Sequence, residues 1–221
     1  MKKSWFVGLL SFNGGFVDAA GFIGLQGLFT AHVTGNFVTL GAALVFGTKG
    51  VVAKLIALPE FIGVVAIARL AGAVLTARGL PTLRILLATK VVFLLLFFVL
   101  AVSLGPFSNS DTAAALVTAF AGIAAMATQN AAQRLHLGHL PPTTIMTGNT
   151  TQATLDAIDL LTGVNGERGA SVRARFRRMF GSIASFAAGC AVAAFLYAEI
   201  GFWCLAVPVA VGIATAVMRT P

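Results

Sequence analysis

FTAHVTGNFVT at residues 29–39 and PTTIMTGNTTQ at residues 142–152 share the tripeptide Thr-Gly-Asn, each inside a hydrophobic part of the chain. Thr and Asn favour helix N-termini, and Gly adopts backbone angles that other residues avoid. We therefore expect each copy to be an extended segment that leads into a short helix. Residues 37–47 would form a helix about 16 Å long, roughly half of a hydrocarbon core, so this helix would enter a bilayer without crossing it.

The composition is that of an integral membrane protein. Hydrophobic residues make up 58% of the 221 residues and charged residues only 10%, and the mean hydropathy is +0.93. A soluble domain of this size needs more charge to cover its surface. The net charge of +8 does not indicate nucleic acid, because the basic residues lie between apolar segments. No nucleophile–base pairing or metal-ligand spacing is visible, so we expect no enzyme, no cofactor and no metal site.

Apolar stretches and turn signals predict an all-α protein with six transmembrane helices and two re-entrant half-helices in one membrane domain, residues 1–221. The neutral-to-acidic loop at residues 105–111 divides it into two halves, residues 1–106 and 112–221. A basic loop is expected around residues 166–178. The predicted spans are residues 5–26, 55–75, 85–104, 112–133, 179–198 and 202–218.

The positive charges predict the orientation, because Lys and Arg concentrate on the cytoplasmic side. With the N-terminus inside, the inner face receives eleven basic residues and the outer face only Lys49 and Lys54. Both termini are then cytoplasmic in a bacterial inner membrane. Since each half contributes three spans, the second half has the inverted topology. The inner residues are Lys2, Lys3, Arg78, Arg84, Arg134, Arg168, Arg173, Arg175, Arg177, Arg178 and Arg219.

The two halves share further short matches in the same order. VDAA at residues 17–20 precedes the first tripeptide, and QNAA at 129–132 precedes the second. AGAV at 71–74 corresponds to AGCAV at 188–192. Each match is weak, because Ala and Gly are common in membrane helices, but together they indicate an inverted repeat.

Two half-helices that enter from opposite faces would point their N-termini at one another near the bilayer centre. Their free N–H groups, with nearby hydroxyls, would suit a small anionic or carbonyl-rich solute. The alternative is that each Gly-Asn makes only a tight turn in a helical hairpin. The residues expected to bind the solute are Thr34, Gly35, Asn36, Thr147, Gly148, Asn149 and Thr150.

Ionisable residues inside membrane helices are costly and are therefore candidate functional groups. Asp18 either carries a coupling proton or pairs with Arg69 in the second span; its repeat partner is Asn130. His32, close to the first tripeptide, is placed to titrate or to bind the solute. Lys90 is expected to reach the inner face by snorkelling.

Two further sets of residues, each on one face of a predicted helix, have two alternative interpretations. Gln152, Asp156 and Asp159 share one face of the second half-helix, which indicates either a wet cytoplasmic vestibule, with Asp156 as a second proton or cation site, or an amphipathic helix on the membrane surface. The small residues Gly181, Ser185 and Gly189 predict close helix packing, either within one subunit or across a homodimer.

The strings GFVDA at residues 15–19, FTAHVTGN at 29–36 and QNAA at 129–132 resemble the YoaK family of bacterial and fungal membrane proteins, which has no assigned function. This resemblance covers essentially the whole chain and implies a six-span membrane protein. In architecture, the expected half-helices also resemble the core of the sulfate-anion and nucleobase transporter fold, which is built from longer chains.

The sequence therefore predicts a compact secondary transporter or facilitator, oligomeric and proton-coupled through Asp18, that works by alternating access around a midplane site. Its expected partners are the lipid bilayer, a small-molecule or anionic substrate and a second copy of the chain. A passive anion channel and a non-transporting membrane scaffold are the alternatives.

Overall fold

The computed structural model describes residues 2–218. This part of the chain forms helices joined by loops and contains no strand. Met1 and residues 219–221, including Arg219, lie outside the described residues. The predicted all-helical class is confirmed for this part of the chain. A 3-10 segment, Gly201–Leu205, joins the last two helices. The helices are α1 (Lys2–Gly24), α2 (Gly35–Phe46), α3 (Val51–Ala77), α4 (Thr82–Leu104), α5 (Ala113–His136), α6 (Met146–Leu161), α7 (Gly166–Ile200) and α8 (Ala206–Val217).

Five helical stretches among residues 2–218 are long and apolar enough to cross a membrane, so the chain is a membrane-embedded protein. Helices α1, α3, α4 and α5 correspond to the first four predicted spans. The fifth stretch, Gly166–Val217, holds the predicted fifth and sixth spans together. By itself, α8 has 12 residues. Helix α2 is apolar and equally short, in agreement with the expected half-helix length.

The predicted basic loop at residues 166–178 is wrong, because these residues form the first turns of α7. Arg and Ala have high helix propensity, and Arg dominates this stretch. Its charge is also stabilised locally, since Arg175 contacts a carboxylate of α6. The long α7 therefore extends well beyond the predicted fifth span at its N-terminal end.

Helices α1 and α7 run parallel and form one long seam. Near one end, the hydroxyls of Ser11 and Ser182 are 2.7 Å apart, and toward the other end Gly24 lies against Tyr197. Of the small residues on α7, Gly189 is buried and a Cβ there would collide with backbone of α1. Gly189 therefore packs against α1 within one subunit, whereas Gly181 is exposed and a Cβ there meets no atom within 4 Å.

Asp111, in the loop between α4 and α5, caps the N-terminus of α3. Its carboxylate accepts hydrogen bonds from the backbone N–H groups of Gly50 (3.1 Å), Val51 (3.1 Å) and Ala53 (2.9 Å). An anionic cap satisfies amides that have no partner within the helix and favours the positive end of the helix dipole. Helix α3 then packs along α5, with Gly72 against Leu135 at the far end.

The last helix closes the bundle. Its Gly212 lies against Leu94 and Val91 of α4, and α8 also packs on α1. At the junction with α7, Phe202 packs edge-on against Phe107 and Tyr197. Because the apolar core lies between α1, α4, α5 and the segment that precedes α2, that segment is held inside the bundle.

We expect Gly189→Ala to lower the free energy of unfolding by about 1–3 kcal/mol, because the added methyl group overpacks the seam between α7 and α1. Gly181→Ala is the matched control on the same helix, since a Cβ at Gly181 meets no atom within 4 Å. The control should be neutral or stabilising by up to about 1 kcal/mol through helix propensity. Thermal unfolding in one detergent measures both, and equal melting temperatures would contradict this packing.

Candidate functional site

Asp18 of α1 holds the segment that leads to α2. Its side chain is buried, and its Oδ1 accepts hydrogen bonds from the backbone N–H groups of Thr30 (2.9 Å), Ala31 (2.7 Å) and His32 (3.3 Å). Bonds from amides to a carboxylate are charge-assisted and stronger than neutral ones. One carboxylate oxygen therefore satisfies three consecutive amides of a segment that has no regular structure of its own.

The second oxygen of Asp18 binds His32. The imidazole Nδ1 of His32 lies 2.6 Å from Asp18 Oδ2, so the Nδ1–H donates to the carboxylate. This hydrogen bond, aided by the negative charge of Asp18, raises the pKa of His32, although burial opposes the shift. Arg69 is exposed and forms no ion pair within residues 2–218. The structure thus pairs Asp18 with His32 instead of Arg69.

His32 and Asp18 line a cavity of about 620 Å³ between α1, the segment before α2, and α7. We call it the His32 cavity. Most of the wall is apolar, and the His32 ring meets Phe186 of α7 edge-on, with centroids 5.6 Å apart. The side chain of His32 is 34% exposed. The lining residues are Asp18, Ala19, Phe22, Ile23, Phe29, His32, Thr34, Gly35, Phe186, Cys190 and Ala194.

The Asn side chain of each tripeptide is a structural clamp. Asn36 is buried and its amide pairs with Phe29, accepting from the backbone N–H (2.8 Å) and donating to the carbonyl (2.9 Å). Asn149 is also buried and donates to the carbonyl of Pro142 at 2.8 Å. Both bonds span seven residues. These side chains hold the segments before α2 and α6 and are not available to a solute.

The expected free amides of the first tripeptide are also engaged. The N–H of Gly35 donates to the His32 carbonyl (2.7 Å) and that of Asn36 to the Val33 carbonyl (3.1 Å). Thr34 precedes α2 without capping it through its side chain. The first tripeptide therefore offers a solute the exposed hydroxyl of Thr34 but not the predicted N–H donors.

The second tripeptide lies elsewhere and differs in detail. Helix α6 begins at Met146, so the tripeptide forms its first turn, and Thr147, Gly148 and Thr150 are exposed there. In the described part of the chain, α2 packs on α3 and α6 packs on α7, with no contact between α2 and α6. The two helices therefore do not contact each other, and the pocket shared by their N-termini stays a prediction.

Asn130 of α5, the predicted repeat partner of Asp18, contacts the segment before α6. Its Oδ1 accepts from the hydroxyl of Thr144 (2.7 Å), in the segment before α6, and its amide donates to the Met126 carbonyl (2.9 Å). Next to it, Gln129 donates to Leu10 of α1. The neutral Asn holds its segment through one side chain, whereas Asp18 gathers backbone amides.

Asp156 of α6 is buried in an ion pair with α7. Arg175 donates to its carboxylate through Nε (3.0 Å) and Nη2 (2.6 Å), and Gln152 donates from one turn away at 2.8 Å. The hydrogen bonds from Arg175 hold the pKa of Asp156 below its ordinary range. Asp156 is therefore a fixed anion that fastens α6 to α7, and the polar stripe faces α7 instead of an open vestibule.

Lys90 of α4 does not snorkel, contrary to expectation. Its side chain is fully buried, and its ammonium finds no hydrogen-bond partner among residues 2–218. The position of Lys90 in the sequence does not predict this burial, because burial depends on how the helices pack together. Within the described residues, His, Cys, Asp and Glu form no group of three or more that suits a metal ion.

The partners of His32 were not predicted from the sequence. Asp18 and His32 were predicted as functional residues separately but not as a pair, and Phe29, Phe186 and Cys190 were not predicted. Phe29 and His32 flank each other in the segment before α2, which is a local signal. Phe186 had none, because only the packing of α7 on α1 brings it to the cavity.

We expect Asn36→Ala to lower the free energy of unfolding by about 2 kcal/mol or more, because it leaves the backbone N–H and carbonyl of Phe29 without partners inside the protein. Thr34→Ala is the control, since Thr34 is exposed and lies two residues away. Thermal unfolding compares them. If Asn36→Ala unfolded at the same temperature as the control, the hydrogen bonds of the Asn36 side chain would not stabilise the fold.

The depressed pKa of Asp156 makes stability depend on pH. Its ion pair stabilises the folded state above the unfolded pKa of about 3.9, and this contribution is lost as pH falls through the lower folded pKa. We expect the melting temperature to fall below about pH 4, and Asp156→Asn to remove part of that fall. Arg175→Gln, which removes the partner of Asp156, should also remove part of the fall; a wild-type profile in Asp156→Asn would refute the assignment.

Comparison with known proteins gives a family. The family model described as "Protein of unknown function (DUF1275)" matches residues 6–218, which is nearly the whole chain. No curated protein and no solved structure matches it. The family description supplies no activity. The chain belongs to the family of proteins of unknown function DUF1275.

Proposed function

We propose that the protein is a small membrane transporter or facilitator, and that its solute site is the His32 cavity. The observation that carries this proposal is the Asp18–His32 pair, at 2.6 Å, on the wall of an otherwise apolar cavity. Ionisable side chains inside a membrane protein are energetically costly and mark functional sites. A volume of about 620 Å³ is within the range of small-molecule sites.

The cavity suits a small solute that joins an apolar body to an anionic or carbonyl oxygen. With Nδ1 bound to Asp18, His32 keeps Nε2 for a ligand, and the protonated ring donates from both nitrogens. The hydroxyl of Thr34 on the cavity wall is a second donor. Phe29 and Phe186 flank the imidazole and provide apolar contact for the rest of the solute.

The same pair provides a route to proton coupling. Protonation of His32 turns its bond to Asp18 into an ion pair and places a positive charge beside the solute. Asp18 Oδ1 meanwhile holds the amides of residues 30–32, which lead directly into α2. A change in the charge of the pair therefore acts on the segment that positions α2, and so couples solute binding to movement of this half-helix.

The packing supports a two-repeat layout with six spans and two re-entrant helices as part of this proposal. Helix α1 packs on α7, and its repeat partner α5 packs on α3. The bonds from Asn36 to Phe29 and from Asn149 to Pro142 have the same spacing. The basic residues favour cytoplasmic termini in a bacterial inner membrane. The resemblances to the YoaK family and to the sulfate-anion transporter core agree with this layout.

A non-transporting scaffold is the second candidate, and one observation favours it. The side-chain amides of the tripeptide asparagines form hydrogen bonds with backbone groups of their own segments, as expected for a purely structural motif. A scaffold needs no solute and no titrating pair in the His32 cavity. A passive anion channel differs in another way, since it conducts without a coupled proton.

Solute binding tests the transporter proposal. Purified protein is screened by thermal shift against small inorganic anions, carboxylates and nucleobases, because a ligand of the native state raises its melting temperature. We expect His32→Gln to weaken binding of any hit about tenfold or more through loss of a charge-assisted hydrogen bond. His139→Gln is the control, because His139 is exposed and lies outside the cavity.

Uptake of the hit into proteoliposomes then separates the candidates. A coupled transporter should lose proton-driven uptake in Asp18→Asn, which retains the Oδ1 acceptor for the amides of residues 30–32. A channel should keep its flux in that variant. If no compound raised the melting temperature and none entered the liposomes, the transporter proposal would be contradicted and the scaffold would be favoured.

A further inference from the structure

A second cavity, of about 590 Å³, lies at the other end of the seam between α1 and α7. We call it the Arg178 cavity. It is bounded by the first turns of α1, the segment before α6, and the arginine-rich part of α7. Its wall is mostly apolar, and Trp5 at its edge is 69% exposed. The lining residues are Ser4, Trp5, Val7, Gly8, Leu9, Phe12, Leu140, Pro141, Arg178, Gly181, Ser182 and Ser185.

Arg178 is the charged group of this cavity. It is exposed, and within residues 2–218 no carboxylate lies within ion-pair distance of it. Arg175, one turn earlier, is neutralised by Asp156. The first part of α7 therefore has excess positive charge at the mouth of the cavity, and it includes only one acidic residue, Glu167. The basic residues are Arg168, Arg173, Arg175, Arg177 and Arg178.

The polar groups of the cavity gather beside Arg178. Ser4 and Ser185 place hydroxyl groups on the wall, and no hydrogen bond to another residue occupies the Ser4 hydroxyl in the described part of the chain. Ser182 is already engaged by Ser11 and Asn149. Charged and hydroxyl donors at the mouth, with an apolar slot behind them, match an amphiphile with an anionic head.

We propose that the Arg178 cavity binds one anionic phospholipid. The guanidinium of Arg178 holds the phosphate, with the serine hydroxyls beside it, and an acyl chain lies against Val7, Phe12 and Leu140. Three features converge on a lipid as the occupant: excess positive charge, an exposed tryptophan of the kind that sits at membrane interfaces, and a position at the ends of membrane-embedded helices. This site is independent of the solute proposed for the His32 cavity.

Quenching of Trp5 fluorescence tests the site directly. The chain has two tryptophans, so Trp203→Phe leaves Trp5 as the only reporter. The full-length protein in detergent micelles is titrated with phosphatidylglycerol or phosphatidylcholine brominated on the acyl chains. We expect saturable quenching at lower concentration by phosphatidylglycerol. Inorganic phosphate at the same concentrations should leave that titration unchanged, which separates a lipid site from a free-anion site.

Two substitutions test where the phospholipid headgroup and its acyl chain bind. Arg178→Gln should weaken the phosphatidylglycerol titration about fivefold, as expected for one basic residue near an anionic surface. Arg173→Gln removes the same charge outside the cavity and should leave the titration unchanged. Gly181→Leu should abolish saturable quenching while the protein stays folded, because a Cβ at Gly181 enters open space and the larger side chain occupies the slot.

Any of the following results would contradict the proposed lipid site. Equal losses in Arg178→Gln and Arg173→Gln would show a diffuse attraction of charge without a defined site. Equal quenching by the two lipids would remove the role of the anionic head. Competition by inorganic phosphate would assign the cavity to a free anion, and unaltered quenching in Gly181→Leu would place the acyl chain elsewhere.

Discussion

The structure depends on one carboxylate, that of Asp18, which accepts hydrogen bonds from three consecutive backbone N–H groups. A segment without regular structure inside an apolar bundle leaves its N–H groups without water, and each unsatisfied group is costly. Asp18 Oδ1 satisfies those of residues 30–32 from the neighbouring helix α1, and Asn36 pairs with both backbone groups of Phe29. These contacts fix the start of α2, and with it the wall of the His32 cavity.

The segment before α6 is held by neutral groups instead. Asn130 accepts from the hydroxyl of Thr144, and Asn149 donates to Pro142, which has no N–H to satisfy. A charged side chain therefore holds only the segment before α2, where it also meets His32. The two segments thus differ in chemistry despite their shared tripeptide. The Asp18–His32 pair lies beside the first of them, in a cavity that Phe186 and Cys190 of α7 complete.

The seam between α1 and α7 organises both cavities. At its middle, Gly15 and Gly189 allow the two backbones to touch, since a Cβ at either position would collide with a carbonyl of the other helix. The His32 cavity lies beyond this contact at one end, and the Arg178 cavity at the other. Close contact at the centre thus separates an aromatic, histidine-bearing site from an arginine-bearing one. The two cavities therefore present different side-chain chemistry.

The sequence by itself determined the membrane class, four of the long helices, the short apolar α2 and the importance of the Thr-Gly-Asn copies, because hydropathy, length and helix-start chemistry are local properties. It also singled out Asp18 and His32. Only the tertiary structure decided that these two pair with each other, that Asp156 is neutralised by Arg175, and that the asparagines hold backbone groups. The reason is physical: which donor meets which acceptor depends on the packing of helices far apart in sequence, and apolar periodicity does not specify that packing.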